Sequence, residues 1–345
     1  MPRLFILPVF LTLLAAGCAL PSGPRPVPAL ACGGACADSV GITYLGVDAF
    51  VIRHGNDVIL TAGMLSAPSP TGLLRLRPDT ARIDSILHAA LPDPSLLRAV
   101  LVGHSHYDHA MDLPYLVRRF AGPSVKVWGN RALPLIFAAD TAFVRRVAVI
   151  EEVAGDSARP GEWRPVPYRS FRFMALRSDH APHLLRHFHL LPRAIDRPRT
   201  TLPRSARDYA EGQTLAYLID FLDERGKVVF RIHFQDAAAT PRRGFPPPLS
   251  PGDDAPVDVA LLCGAAFAEV SGYPDGILRE LRPRMAVVGH WEDFVFRPRA
   301  DPAVPVPLTD QGLLRHRMDR ALGGAARRWT PAPGETRWFC VCPRN

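Results

Sequence analysis

Three histidines and an aspartate lie within one six-residue stretch, and their types suit the binding of metal ions. The residues are His104, His106, Asp108 and His109. Neutral imidazole is a common protein ligand of Zn²⁺, Fe²⁺ and Mn²⁺, and a carboxylate adds a hard oxygen donor. Because one ion could not easily use all four side chains, the spacing indicates two metal positions roughly 3.5–4 Å apart. The alternative is a surface loop that carries histidines by chance.

The elements that must position these residues are short strands that end in polar side chains. An apolar run at residues 99–102 has the length and β-branched content of a buried strand, and Gly103 ends it. Three later predicted strands end in the same way, close to His180, Asp236 and His290. A two-metal site at one edge of a sheet sandwich requires ligands that are far apart in sequence but that each follow the end of a strand.

The rest of the chain alternates short strands with helices, which predicts an α/β fold. Strands are predicted at residues 42–47, 49–53, 58–61, 125–128, 147–153, 167–176, 214–222, 227–234, 257–262, 285–288 and 336–341. Helical spacing of apolar residues predicts helices at 80–90, 112–120, 133–138 and 310–322, and residues 277–281 are predicted to be the end of a further helix.

Residues 103–109 read Gly-His-Ser-His-Tyr-Asp-His, which resembles the His-x-His-x-Asp-His hallmark of the metallo-β-lactamase-fold superfamily. The resemblance extends over nearly the whole mature chain and implies a four-layer αββα sandwich. It also implies which residues bind each metal: His104, His106 and His180 the first, Asp108, His109 and His290 the second, with Asp236 bridging.

Two positions depart from the pattern that the resemblance implies. The bridging aspartate usually follows glycine, whereas Asp236 follows Gln235. Relatives often place Asp-Pro after the third strand, where this chain has Thr-Ala-Gly at 61–63, so any role of that aspartate is absent.

His183 competes with His180 as a ligand, and we favour His180 because it stands nearer the end of its strand.

The ligand set predicts a metal-dependent hydrolase. Two divalent ions, expected to be Zn²⁺ with Fe or Mn as alternatives, lower the pKa of a shared water toward about 7, so that metal-bound hydroxide is the nucleophile. Asp108 is the predicted catalytic residue, which orients the hydroxide and then shuttles its proton. Ser105 is interpreted as a spacer, because no Gly-x-Ser-x-Gly elbow surrounds it.

The bond that is cleaved stays open between an ester, a lactone and a phosphodiester. The motif resembles the branch that contains ascorbate-phosphate lactonases, N-acylphosphatidylethanolamine phospholipase D and RNA 3′-processing nucleases, which differ in this respect. Alternatives are a β-lactamase or nuclease of the same fold, and a lipid-anchored binding protein with a relic metal site. A small molecule or a lipid is the expected substrate. Nucleic acid is not expected, since no aromatic-plus-basic stacking pattern is present, and the oligomeric state is open.

The N-terminus predicts export and a lipid anchor. Residues 1–17 combine Arg3, an apolar run and small residues, as in a signal peptide. Residues 14–18 resemble a bacterial lipobox, which predicts lipidation at Cys18; an ordinary signal peptide is the alternative. Residues 18–38 form a Pro-rich tether, and the hydrolase domain spans 39–345. The expected location is the cell envelope, at the outer membrane facing the periplasm in a Gram-negative cell.

An oxidising compartment would favour disulfides among the remaining cysteines. Cys32 or Cys36 is predicted to pair with Cys340 or Cys342, with a local Cys32–Cys36 bridge or a metal site as alternatives, while Cys263 is predicted to be a buried free thiol.

Residues 181–213 break the rhythm of strands and helices and predict a lid-like insert beside the metals. The segment is rich in arginine, and the candidate substrate-binding residues are His183, Arg186, Arg193 and Arg204. Guanidinium groups match phosphate or carboxylate, so an anionic substrate is expected. Under the alternative, these arginines face solvent or an anionic membrane. The net charge of +8 favours anionic partners only weakly.

Overall fold

The computed structural model describes residues 38–166, 169–183, 189–250, 253–324 and 327–341. The predicted signal peptide and lipidation site therefore lie outside the described residues, as does all of the predicted tether except Asp38. Three of the cysteines predicted to form disulfides and one candidate substrate residue also lie outside them: Cys32, Cys36, Cys342 and Arg186.

Fourteen strands follow one another along the described chain. They are β1 Ser39–Gly46, β2 Ala49–His54, β3 Asp57–Thr61, β4 Leu97–Leu101, β5 Lys126–Gly129, β6 Val147–Val149, β7 Arg164–Pro165, β8 Phe171–Arg177, β9 Leu215–Leu222, β10 Val228–Gln235, β11 Val259–Cys263, β12 Met285–Gly289, β13 Arg328–Trp329 and β14 Thr336–Cys340.

Seven α-helices connect the strands in the described residues. They are α1 Thr80–Ala90, α2 Tyr107–Ala110, α3 Leu113–Phe120, α4 Ala132–Ile136, α5 Thr141–Val144, α6 Asp275–Leu281 and α7 Gln311–Leu322. Local capping fixes the start of the longer ones: the side chain of Asp79 accepts a hydrogen bond from Arg82 N at α1, and Asp310 accepts one from Leu313 N at α7. None of these helices is long and apolar enough to cross a membrane.

The strands form two seven-stranded sheets, in the orders β14-β1-β2-β3-β4-β5-β6 and β13-β12-β11-β10-β9-β8-β7. One apolar core lies between the sheets. A second contains the buried faces of α1 and α3 and covers the outer side of the first sheet. A third contains those of α6 and α7 and covers the outer side of the second sheet. Three cores between four layers confirm the predicted αββα sandwich, because each sheet must bury both faces.

The topology brings the ends of several strands to one edge. In the second sheet β10, β11 and β12 are parallel to one another. β8 is antiparallel to β9, which is antiparallel to β10, so β8 runs in the same direction as β10. The carboxyl ends of β8, β10 and β12 therefore meet at the same edge, and the side chains that follow them lie close together.

The observed elements differ from the predicted ones mainly at their ends. The strand predicted at 147–153 stops at Val149 and continues as a 3₁₀ turn at Glu151–Val153. The strand predicted from 167 begins at Phe171. β6 lies at the outer edge of the first sheet and pairs with β5 alone, which gives less support to an apolar run.

Candidate metal centre

The metal motif begins just after β4, where the chain passes close to Asp236 of the second sheet. A Cβ atom built on Gly103 would lie 2.1 Å from the carboxylate of Asp236, so no side chain fits at this position. After Gly103 the chain turns, and His106 precedes the short helix α2, which carries Asp108 and His109. The first two histidines therefore lie on an extended loop and the last two ligand candidates on a helical turn.

The first cluster consists of His104, His106 and His180. One nitrogen from each ring lies within 4.8 Å of the others. Nδ1 of His104 donates to Asp236 Oδ2 at 2.5 Å, and Nδ1 of His180 donates to the carbonyl oxygen of Ala181 at 2.6 Å. A histidine whose Nδ1 donates presents its Nε2 lone pair to a metal, so these contacts set the ligand-competent tautomer.

The second cluster consists of Asp108, His109 and His290, with ligand atoms within the same limit. Oδ2 of Asp108 lies 3.4 Å from Nε2 of His290 and 3.8 Å from Nε2 of His109. Nδ1 of His109 lies 3.2 Å from the carbonyl oxygen of Ala62 and 3.1 Å from Asp236 Oδ1. His104, His109 and Asp236 form a third close group, so Asp236 lies between the two clusters.

A hydrogen-bonded chain fixes the backbone of His290. This residue has a φ of +49°, a left-handed conformation that a side chain disfavours. Its N–H donates to the hydroxyl of Tyr44 at 2.7 Å, and that hydroxyl donates to Glu292 Oε2 at 2.5 Å. Oε1 of Glu292 in turn accepts from Val47 N at 2.6 Å. These buried contacts hold a strained ligand position between the two sheets.

The pKa values of the cluster show how strongly its charges interact. Burial alone would lower the pKa of His109, but the carboxylates of Asp236 and Asp108 raise it to about 10. Burial would raise the pKa of Asp236, but His109 and His104 hold it well below its usual range. Burial and the neighbouring His104 lower the pKa values of His106 and His180. The site therefore favours ionised carboxylates with compensating positive charge beside neutral imidazoles.

The donor set fits divalent metal ions. Three buried imidazole Nε2 atoms of the ligand set have no hydrogen-bond partner within the described part of the chain: those of His104, His106 and His109. Buried polar atoms without partners are costly, and these are imidazole nitrogens, a ligand type that borderline metals prefer. Asp236 Oδ2 is engaged by His104, so a bridging role would rely mainly on its other oxygen.

The structure brings all seven predicted ligands into one pocket of about 400 Å³. They are His104, His106, Asp108, His109, His180, Asp236 and His290. His183 lines the same pocket, with its ring centre 5.4 Å from that of His106. The assignment of each residue to a metal stays a prediction.

The structure also describes the surroundings of Ser105, Cys263 and Cys340, for which the sequence made predictions. Oγ of Ser105 is buried and donates to Asn130 Oδ1 at 2.7 Å, so the hydroxyl is tied to the scaffold, as expected of a spacer. Cys263 is a buried free thiol, as predicted, and lines the pocket. Cys340 is disulfide-bonded.

The described part of the 181–213 insert presents apolar side chains to the pocket. Leu190 and Leu191 line it, whereas Arg193 and Arg204 are not among its described lining residues. Arg193 lies 3.7 Å from Glu211. Most of the remaining walls are also apolar, and their larger members are Leu73, Phe267, Phe294, Val295, Val306 and Leu308. The role predicted for the arginines in selecting an anion stays a prediction.

Sequence reasoning missed Asp48, which is buried beside the site. Neither oxygen of its carboxylate has a hydrogen-bond partner in the ranges that the structure describes, and burial and the nearby Asp236 raise its pKa. A Cβ atom on Gly289 would lie 1.9 Å from Asp48 Oδ1, so the carboxylate lies directly against the backbone that precedes His290. No local signal marks it, because Asp48 stands in the turn between β1 and β2, where an acid is usually solvent-exposed.

Two buried ligand clusters at the edge of a four-layer sandwich define a metal-binding α/β enzyme. Residues 42–183 match the family model of the Metallo-beta-lactamase superfamily, which includes the His104 to His109 motif. Over these residues the chain is similar to the superfamily, as the resemblance in its sequence implied, and this similarity supports a metallo-hydrolase. A search of curated proteins finds no match.

Several solved structures are similar to the chain over most of its length. A metallo hydrolase from the archaeon Ignicoccus hospitalis shares 16% identity over 87% of this chain and 98% of its own, with a TM-score of 0.47. The metallo-beta-lactamase fold protein YhfI from Bacillus subtilis shares 13% identity over 87% of this chain and 100% of its own, with a TM-score of 0.48. CmlA, a diiron β-hydroxylase from Streptomyces venezuelae, shares 15% identity over 89% of this chain and 55% of its own, with a TM-score of 0.47. At such scores they carry no argument about substrate or metal.

Proposed function

We propose that the protein uses a dinuclear centre, with Zn²⁺ as the expected metal, to hydrolyse an ester, lactone or phosphodiester outside the cytoplasm. The observation that carries this proposal is the convergence of two ligand clusters on one pocket, with buried imidazole nitrogens that have no other partner among the described residues. Bound metals would supply a nucleophile from water near neutral pH and would offset negative charge at the reacting centre.

Asp108 is the residue in position to move a proton. Burial would raise its pKa, but His109 and His290 hold it well below its usual range, so the carboxylate is ionised and can accept a proton. Its Oδ2 faces the second cluster, 3.4 Å from His290 Nε2. From there the carboxylate can orient a water molecule in the pocket, take up its proton at Oδ2 and pass that proton to the leaving group.

The pocket walls support a substrate with an apolar group. Leucines 73, 190 and 191 and phenylalanines 267 and 294 surround the polar clusters. Burying an apolar chain there would remove hydrocarbon from water on both partners, whereas a small polar ester would leave these walls in contact with solvent. We therefore expect activity to rise with the length of an acyl or alkyl chain on the substrate.

The test combines metal analysis with a substrate panel. Purified full-length protein should contain two divalent metals, lose activity with chelator and regain it with added metal. The panel should contain ester, lactone, phosphodiester and β-lactam substrates, each with short and long alkyl chains. His104→Ala should abolish activity, and His54→Ala is the matched control, because His54 lies outside the pocket and contacts Asp38 at 2.9 Å. Full activity in His104→Ala would contradict the proposal.

We further infer that the protein is anchored by a lipid at Cys18 in the cell envelope, facing the periplasm in a Gram-negative cell. Support comes from the sequence of residues 1–18, which resembles a signal peptide with a lipobox. Mass spectrometry of protein extracted from cells should find an acylated N-terminus at Cys18. A mature N-terminus elsewhere, without acyl mass, would refute the anchor and would leave the proposed chemistry untouched.

A further inference from the structure

The most exposed apolar side chains of the described chain belong to segments that line the metal pocket. Within the described ranges, eight large hydrophobic residues are exposed. Four of them stand out, with exposed fractions of 97% at Leu308, 77% at Leu74, 64% at Leu190 and 63% at Phe296. The other four, Val149, Leu202, Leu313 and Trp338, are only 39–49% exposed.

All four either line the metal pocket or directly follow a residue that lines it. Leu190 and Leu308 themselves line it. Leu74 and Phe296 directly follow the lining residues Leu73 and Val295. They come from three segments that are remote in sequence, and the fold brings these segments to one pocket. We call this set, Leu74, Leu190, Phe296 and Leu308, the apolar rim.

The backbone at the rim argues against an accidental exposure. Leu308 has a φ of +63°, a conformation that costs free energy for a residue with a side chain. The strain holds a leucine that is almost fully exposed at the mouth of the pocket. Glycine would relieve the strain and present no apolar surface to water, so a leucine here is explained by something that covers it.

Positive charge accompanies the rim. The segments 74–79 and 296–302 contain four arginines, at 75, 77, 297 and 299, and two aspartates, at 79 and 301, which leaves a net charge of 4 − 2 = +2. Arg299 donates to Asp79 Oδ2 at 2.7 Å and joins the two segments. Exposed leucine and phenylalanine beside arginine is the combination that binds the interface of an anionic membrane, where hydrocarbon enters the acyl boundary and guanidinium groups meet the headgroups.

We propose that the apolar rim is a docking surface for an anionic lipid bilayer, and that it places the pocket mouth against the lipid interface. Docking covers the four exposed side chains and lets the apolar part of a substrate pass between lipid and pocket without crossing water. The inference concerns binding and does not depend on which bond is cleaved, so it can fail while the proposed hydrolysis holds, and the reverse.

Vesicle flotation tests the docking surface. All proteins are full-length and carry Cys18→Ser, which removes acylation as a route to the membrane. The rim variant is Leu74→Ser/Phe296→Ser/Leu308→Ser. The control variant, Val149→Ser/Leu202→Ser/Leu313→Ser, removes the same number of exposed apolar side chains away from the mouth. Vesicles are made of phosphatidylcholine alone or of phosphatidylcholine with phosphatidylglycerol.

The parent should bind the phosphatidylglycerol vesicles more tightly than the neutral ones, and the rim variant should bind them about tenfold more weakly. The control variant should match the parent. Equal binding by rim and control variants would overturn the proposal, and so would equal binding of the parent to both vesicle types. A rim variant that loses self-association in gel filtration but keeps vesicle binding would assign the surface to a second copy of the chain instead.

Discussion

Nδ1 of His104 lies 2.5 Å from Oδ2 of Asp236, and the two side chains come from opposite sheets. His104 follows β4 in the first sheet, and Asp236 follows β10 in the second. Both are buried, so this contact joins the two sheets at the edge where the ligand clusters form. It also orients the imidazole of His104 toward the pocket.

Replacing Asp236 by asparagine should weaken metal binding by about 10- to 100-fold. The amide keeps the shape of the side chain but loses the charge that offsets His109 and cannot serve as a bridging carboxylate. Competition titration against a metal-binding dye measures the change. Asp319→Asn is the control, since Asp319 pairs with Arg328 at 2.8 Å outside the pocket. Unchanged affinity in Asp236→Asn would remove this residue from the ligand set.

Removing the metals should lower the melting temperature. Ions that bind only the folded state stabilise it, by about 4 kcal/mol at a thousandfold excess over Kd. Chelation also leaves His109, Asp108 and Asp236 to balance their charges without an ion. Differential scanning calorimetry with and without chelator should show a shift of several degrees, and His104→Ala should show a smaller one. A chelator that leaves the wild-type curve unchanged would argue against bound metal.

His233 should make stability fall in acid. It is fully buried in β10, its Nε2 donates to the carbonyl oxygen of Gly244 at 2.7 Å, and burial lowers its pKa to about 4. Because its pKa in the unfolded chain is about 6.5, the stabilisation from the neutral ring is complete above that pH. It is lost as the pH falls toward 4, by about 3 kcal/mol in total.

Urea unfolding at several pH values tests this expectation for His233. In His233→Leu the free energy of unfolding should fall less between pH 6.5 and 4 than in the wild type. His316→Leu, at an exposed position of α7, should retain the wild-type slope. Parallel pH curves for wild type and His233→Leu would show that the ring does not titrate as its burial implies.

Cys340 should contribute measurably to stability. It ends β14, which pairs with β1 at the edge of the first sheet, and it is disulfide-bonded. Cys340→Ser should lower the free energy of unfolding by about 2–4 kcal/mol. A reducing agent should lower the melting temperature of the wild type and leave that of the variant unchanged. Peptide mapping without reduction will decide which of Cys32, Cys36 and Cys342 is its partner.

The arginines of the 181–213 insert provide a test of substrate charge. Arg193→Gln with Arg204→Gln should raise KM several-fold for a phosphate-bearing substrate and leave a neutral ester of the same chain length almost unaffected. The physical reason is the loss of guanidinium groups that attract an anion toward the pocket. Equal effects on both substrates, or none, would leave only the apolar walls as a source of selectivity.

The sequence was most informative where the chemistry is local. The motif from His104 to His109 needs only a strand, a glycine and a turn, and all three can be recognised from residue types. His180, Asp236 and His290 could be found because each follows an apolar run that forms a strand. Their convergence followed from the family resemblance, since strand ends do not reveal by themselves which edges meet.

Asp48 and the apolar rim could not be predicted in this way. Asp48 is buried because β12 of the other sheet covers it at Gly289, a contact with no trace in the local pattern. Leu190, Phe296 and Leu308 lie in irregular segments, where no periodicity distinguishes a pocket wall from a solvent-exposed loop. Such properties depend on how distant segments pack, and only the folded chain reveals them.

The direction of β1 determines how a lipid anchor could cooperate with the site. β1 has eight residues and ends at Gly46, two residues before Asp48, so its first residue, Ser39, lies about 25 Å from the metal edge. If residues 18–38 form the predicted Pro-rich tether, a fully extended chain of that length would reach about 60 Å, more than twice that distance. The predicted anchor and tether would then be long enough for the domain to turn its pocket toward the membrane. Short flexible tethers create millimolar effective concentrations. At such concentrations even a weak contact between the domain surface and the membrane would be formed most of the time.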